Sequence, residues 1–519
     1  MLRRLTANHV SVAIVLLTLA AFVPNVGNAF VSLDDNYLIY ANPAVQNVTW
    51  KNIIHVFTSY DPQLYIPLTF LSWQINAALF GMNPAAFHLV NLLLHCVNAV
   101  LAFLILRRLS GSLVASAVAA TLFAIHPIQT EAVLWAAGRK DLLSGMFFLL
   151  SVHVYLRYRE NDSGRTHGWS VALFALGLLS KVSVITLPAW LLAIDWLQKR
   201  RLDARMFSEK LPYVLFAIIF AVIATIGKAR VLGSSGTLLN ALLPAKSAVF
   251  YLRQFFWPSG LSVIYPYAGR PHDLTAEFAW SFGIIAALAA AALFCLRGRN
   301  RMISFGIGTY FLLLAPSFTT FWKNGFLYFA SDRYVYLASI GFFAVIGLLA
   351  ARLKDSIGRK LAGAVFPVLC AAAIAALLPA TWAQGKVWSS AEALYRNVLR
   401  TYPDSVMART NLGLELQLVG NHAEAREHYK RAMELDPHSV HAYFNLAALE
   451  NKEGNRAEAE KLYIAIVDAF GPQQVATASD IKPFLWLIKR LNELGRMRDA
   501  ERLFEKLQTL APRQLDEVK

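Results

Sequence analysis

Eleven apolar runs interrupt the first 381 residues of this 519-residue chain. Each is at or near the length, about 17 to 25 residues, that a helix needs to cross a bilayer. Such a run has few stable fates, because in lipid only a backbone bonded within its own segment survives. The runs lie near 8–25, 87–106, 112–126, 141–156, 168–180, 182–197, 211–229, 276–296, 302–316, 334–351 and 361–381, the third and fifth being short. A chain that is 56% hydrophobic and 16% charged is too apolar for an ordinary soluble domain. The formal net charge of +16 falls in short clusters between the runs, so it marks topology and excludes a nucleic-acid partner.

Every second connection is basic: Arg3/Arg4, Arg107/Arg108, "RYRENDSGR", "QKRRLDAR", "RGRNR" and "RLKDSIGRK". This alternation predicts a cytoplasmic N-terminus. The opposite face then receives Asp34/Asp35, "HPIQTEAVLWAAGRKD", Ser180/Lys181, "KARVLGSSG", "TTFWKNGFLYFASDR" and everything after residue 382. The first apolar run reads as an uncleaved anchor rather than a signal peptide cut near "GNA". Trp50, Tyr60, Tyr65, Trp73 and Phe80 fit residues 36–86 either to helices lying in the membrane interface or to a loop packed on the bundle, and "KSAVFYLRQFFWPSGLSVIYPY" reads the same way. Cys96, Cys295 and Cys370 sit in apolar runs without metal-ligand spacing and read as small hydrophobes.

From Gly385 the composition turns charged. Asn411-Leu412-Gly413, Gly420, Ala425 and Tyr429 recur 34 residues on as Asn445-Leu446-Ala447, Gly454, Ala459 and Tyr463, the period of tetratricopeptide repeats. Ala391, Tyr395 and Pro403 extend the array backwards, and Gly495, Ala500, Phe504 and Pro512 extend it forwards after an insertion. The chain thus divides into a membrane part, 1–384, and a repeat part, 385–519, whose stacked helices offer a concave surface to a peptide or protein.

The ionisable residues expected on the non-cytoplasmic face are Asp34, Asp35, His126, Glu131, Arg139, Lys140, Asp141, Lys181, Lys228, Asp332 and Arg333. Acids and bases together suit transfer from a lipid phosphate, where a carboxylate accepts a proton and cations hold the departing phosphate. Taken singly they have plainer readings: a helix cap for Asp34/Asp35, a first-turn acid for Glu131, and snorkelling anchors for Arg139 and Arg333.

"FVSLDDNYLIYANP", "HPIQTEAVLWAAGRKDLLSGMFFLLS", "LGLLSKVSVITLPAWLLAIDWL" and "SDRYVYLASIGF", followed by the repeats, resemble the transmembrane and tetratricopeptide repeat-containing O-mannosyltransferase family of GT-C glycosyltransferases. The resemblance implies an all-α protein, a GT-C helix bundle of about eleven spans followed by a repeat solenoid. It implies an inverting transferase that moves a hexose, mannose in that family, from a polyprenyl phosphate donor to a protein Ser or Thr hydroxyl. Asp34, Asp35 and Glu131 take the catalytic positions, and Arg139, Lys181 or Arg333 the donor phosphate. His126, Asp141 and Asp332 are further candidates, and a divalent metal is left open. Where the family commonly has Lys-Glu this chain has Lys181-Val182, and Ala338 replaces a usual Pro. The acceptor would be presented by the repeats outside the cytoplasm, and the short basic loops point to a bacterial inner membrane. The rival readings are an inactive membrane-anchored repeat scaffold and a transporter, which would want charges near mid-span and two matching halves.

Overall fold

The computed structural model describes residues 6–60, 64–228, 237–267, 276–296, 300–323, 326–357, 359–469 and 478–510. Arg3/Arg4, the connection 229–236, most of "RGRNR", Pro512 and the side chain of Lys228 lie outside the described residues. Almost all of the rest is helical. Six helices are long and apolar enough to cross a membrane: Ala7–Asn25, Pro84–Ser110, Ala204–Gly227, Ala276–Phe294, Arg301–Thr319 and Gly363–Val387. A seventh forms if Leu113–Ile125 and Pro127–Leu134, bent by 51° at His126, count as one span.

Six or seven replaces the expected eleven, and the reason lies in length and charge. Gly164–Ser180 has 17 residues and Leu187–Leu197 has 11. Arg139–Asn161 opens on three charged residues, and Ala338–Ser356 ends on Arg352, Lys354 and Asp355. Each of these helices keeps one face buried against its neighbours. Ser151 and Ser170 exchange hydroxyl-to-carbonyl hydrogen bonds at 2.7 Å between two of them. A Cβ on Gly347 would run into the Ala115 carbonyl, so a missing side chain sets how closely Ala338–Ser356 approaches Leu113–Ile125.

The interfacial expectation needs correction in part. Trp50 is 75% exposed, but Trp73 and Phe70 on the helix Pro67–Phe80 are buried in the bundle. The stretch 246–267 begins inside the helix Thr237–Phe256, with Phe256 and Trp257 exposed and Tyr251, Phe255 and Tyr265 buried.

The first and last long apolar helices end side by side. Trp382 Nε1 donates to the Ala20 carbonyl at 2.9 Å, and Asn28 Nδ2 to the Gly385 carbonyl at 3.0 Å. The chain therefore enters the repeats at the end of the bundle that also carries Asp34 and Asp35.

Beyond the bundle, a single helix Ala391–Thr401 leads into three helical hairpins: Val406–Leu418 with His422–Leu435, Val440–Lys452 with Arg456–Ala469, and Ala478–Glu493 with Met497–Leu510. Gly420, Gly454 and Gly495 turn each hairpin at φ of +85°, +88° and +75°, a conformation that excludes most side chains. Tyr395, Tyr429 and Tyr463 are all buried, as their shared period requires.

Candidate active site

Asp34 and Asp35 close the connection after the first helix, just before a single π-helical turn at Asn36–Tyr40. Adjacent on the chain, they face different surroundings. Asp35 is fully buried, and its two oxygens accept separate backbone bonds, from Val31 N at 3.1 Å and Ala137 N at 2.9 Å. It ties the loop to the start of the segment that carries Arg139 and Lys140. Burial pushes its carboxyl up to about 7, opposed by those two N–H groups and Lys140. Asp34 keeps a side chain 26% exposed, accepts from Tyr37 Oη at 2.6 Å and lies 3.6 Å from Lys140 Nζ.

From Asp34 a row of alternating cations and rings crosses the site. Lys140 Nζ lies 4.4 Å from the Trp135 ring centre, and the Arg333 guanidinium lies 4.8 Å from that same ring. Arg333 also lies 4.9 Å from the Tyr334 ring, with Lys181 Nζ 6.0 Å from it on the row's far side. Each cation has its own carboxylate: Lys140 has Asp34, Arg333 has Glu131, and Lys181 has Asp141. Such ring faces hold cations in place without neutralising them.

Glu131 is spent on fixing Arg333. Its carboxylate accepts from Arg333 Nη1, from Arg333 N at 3.1 Å and from Ser331 Oγ at 2.8 Å. Burial would loosen the Arg333 proton, but Glu131 beside it holds the guanidinium above its ordinary range. Arg333 commits Nη1 to Glu131 and Ser331, while Lys181 gives one of three donors to Asp141. Both cations thus keep donors for a further anion. Oδ2 of Asp141 is buried with no hydrogen-bond partner among the described residues.

Three candidates sit elsewhere. Arg139 is fully buried and donates to Asn91 Oδ1, Asn76 Oδ1 and the carbonyls of Ser72 and Phe87, at 2.8 to 3.2 Å. It braces two helices and is not in the row. His126 is buried at the bend between Leu113–Ile125 and Pro127–Gln129: Nδ1 accepts from Ile128 N and Nε2 donates to the Phe255 carbonyl, both at 3.2 Å. Asp332 is turned toward Tyr265, whose hydroxyl donates to it at 2.7 Å, and burial together with Glu131 holds its carboxyl well above the usual range. Sequence reasoning gave no role to Lys140, Trp135, Tyr334 or Tyr37. Trp135 and Lys140 are within six residues of one another in "LWAAGRK", which was the available signal. Among the described residues no group of three or more His, Cys, Asp or Glu side chains is placed to hold a metal ion.

Residues 65–227 match the family model described as dolichyl-phosphate-mannose-protein mannosyltransferase, and residues 416–478 match a tetratricopeptide repeat model. The human protein O-mannosyl-transferase TMTC4 is 28% identical over 434 residues, covering 70% of this chain and 57% of the relative. The mouse protein is 27% identical over 478 residues, covering 76% and 62%. The chain therefore spans less than two thirds of the length of these relatives. Among solved structures, an oligosaccharyltransferase from Archaeoglobus fulgidus tethered to an acceptor peptide aligns with 74% of this chain and 55% of its own, at 14% identity and a TM-score of 0.41. Through residues 65–227 and through its repeats alike, the chain is similar to the transmembrane and tetratricopeptide repeat-containing protein O-mannosyltransferases.

Proposed function

We propose that the chain is an inverting glycosyltransferase that moves a hexose, mannose by relationship, from a polyprenyl phosphate to a protein Ser or Thr hydroxyl on the non-cytoplasmic side. One observation carries the reading: an accessible carboxylate, Asp34, stands at the end of a row of three cations spaced by aromatic rings. The acceptor oxygen attacks C1 of the sugar opposite the phosphate. The C1–O bond breaks, its electron pair leaves with the polyprenyl phosphate, and the hydroxyl proton passes to Asp34. Lys181 and Arg333 donate to the phosphate oxygens, where charge-assisted bonds are about twice as strong as neutral ones. Lys140 balances Asp34 before the proton arrives. The unpartnered oxygen of Asp141 accepts from a sugar hydroxyl. Glu131 acts through Arg333, and Asp35 through the loop. Arg139 has no phosphate role in this mechanism.

Topology follows from the neighbouring ends of the first and last apolar helices. If both cross the bilayer, they run the same way and the number of crossings is odd, which seven satisfies. The basic connections then support a cytoplasmic N-terminus, with the site and repeats outside, in a bacterial inner membrane. The division at residue 384/385 is kept, with the repeats engaging the acceptor protein.

The test offers the purified protein radiolabelled polyprenyl phosphate mannose, and separately the glucose form, with a membrane extract. The expected result is label transferred to protein and released by β-elimination. No transfer and no slow donor hydrolysis with either sugar would favour the inactive scaffold.

A further inference from the structure

The loop that carries Asp34 is fastened to the repeats, not only to the membrane bundle. Ala29 N donates to the Ser389 carbonyl at 3.2 Å, close to where the chain leaves the last apolar helix. Deeper in the repeats, Tyr395 Oη donates to the Ser32 carbonyl at 3.3 Å, and Asn411 Nδ2 donates to Tyr395 Oη at 3.3 Å. Ser32 Oγ donates to Glu415 Oε1 across 383 residues of sequence. Ser32 stands two residues before Asp34. Asn411 and Glu415 lie four apart on the helix Val406–Leu418, so they share one face. That helix opens the first full repeat, and its Leu414 and Leu418 are exposed.

We infer that Glu415 is a positioning residue for the transfer reaction: through Ser32 it sets the loop that aims Asp34, so the first repeat acts on the reacting end of the site and not only on acceptor binding. The inference rests on the proposed role of Asp34. A carboxylate is the strongest available acceptor for the Ser32 hydroxyl, and a bond to a charged group costs more to lose than a neutral one. Asp35, three residues along the same loop, offers no substitute, because it already spends both oxygens on Val31 and Ala137.

The test is hydrogen exchange on the full chain in detergent, with Glu415→Ala, Glu415→Gln and Ser32→Ala beside the wild type. Losing a charge-assisted bond should speed exchange in residues 28–40 by about tenfold or more in Glu415→Ala and Ser32→Ala. Glu415→Gln, which still accepts, should stay near wild type. Exchange in residues 146–156, inside the bundle, should not move. Unchanged exchange in 28–40, or an equal rise in both segments, overturns the latch.

Turnover then separates a latch from an acceptor contact. Slow hydrolysis of polyprenyl phosphate mannose by water needs the base and no acceptor. Glu415→Ala should lower kcat for hydrolysis and for transfer by the same factor, leave the donor KM alone, and recover in Glu415→Gln. Normal hydrolysis with only a raised acceptor KM would make Glu415 an acceptor contact and overturn the inference. Asp34→Asn is run alongside. If it hydrolyses donor at the wild-type rate while the loop exchange behaves as expected, the base assignment fails and the tether stands.

Discussion

Replacing Asp35 by Asn should change how stability depends on pH more than it changes stability at any one pH. The folded protein holds the Asp35 proton up to about 7, against 3.8 for the free group. Between those values the folded state carries a proton that the unfolded chain has lost. The stability this lends is complete below pH 4 and is lost as pH rises toward 7. Well inside that window each pH unit is worth about 1.4 kcal/mol, and the slope halves by pH 7, so roughly 2 kcal/mol separates pH 5 from pH 7. Asn has no such slope. It carries a fixed cost, because its amide nitrogen must face either Val31 N or Ala137 N and leave that donor unpaired, about 1 to 3 kcal/mol. Wild type should therefore melt higher than Asp35→Asn at pH 5, and the two should converge or cross by pH 8. The assay is thermal unfolding of both proteins in one detergent across pH 5 to 8. A melting gap that stays constant over that range would refute the argument that Asp35 is a buried, proton-holding tie.

Other outcomes follow from the same geometry. Arg333→Ala or Lys181→Ala should raise the Kd for polyprenyl phosphate mannose, by about tenfold for one lost charge-assisted bond, whereas Arg139→Lys should lower the melting temperature and leave the Kd of the folded fraction unchanged. Tyr37→Phe removes the donor at 2.6 Å from Asp34, so the acid limb of the pH–rate profile should move to higher pH. Gly413→Val would drive a Cβ to 2.6 Å from the Tyr429 ring and should destabilise the first repeat by about 1 to 3 kcal/mol, read by proteolysis between the hairpins. A reporter active only in the cytoplasm, fused after Lys519, should be silent, and a signal from it would require an even number of crossings.

The repeats were legible in the sequence because their constraints are local and periodic. A glycine at positive φ, a small residue at a helix contact and a buried tyrosine each recur 34 residues apart. The apolar runs were legible as helices but not as spans. An apolar run does not show whether its helix will be long enough to cross a bilayer or fall short, as Gly164–Ser180 does at 17 residues. Charge alone did not resolve the site. Arg139 and Lys140 are adjacent in the first turn of one helix, where a step of one residue rotates the side chain by about 100°. One braces the helices around Asn76 and Asn91, and the other meets Asp34. Asp34 and Asp35 divide in the same way, one open and one spent on backbone. The bond from Ser32 to Glu415 joins positions 383 apart and leaves no periodic or local trace.

The central claim is that Asp34 accepts the acceptor's proton beside a phosphate held by Lys181 and Arg333. It is tested most directly by single-turnover transfer from radiolabelled polyprenyl phosphate mannose, comparing wild type with Asp34→Asn at saturating donor. The account predicts a loss of about 10² to 10⁴ in the rate of transfer, with donor Kd and melting temperature close to wild type. Transfer by Asp34→Asn at the wild-type rate would contradict it.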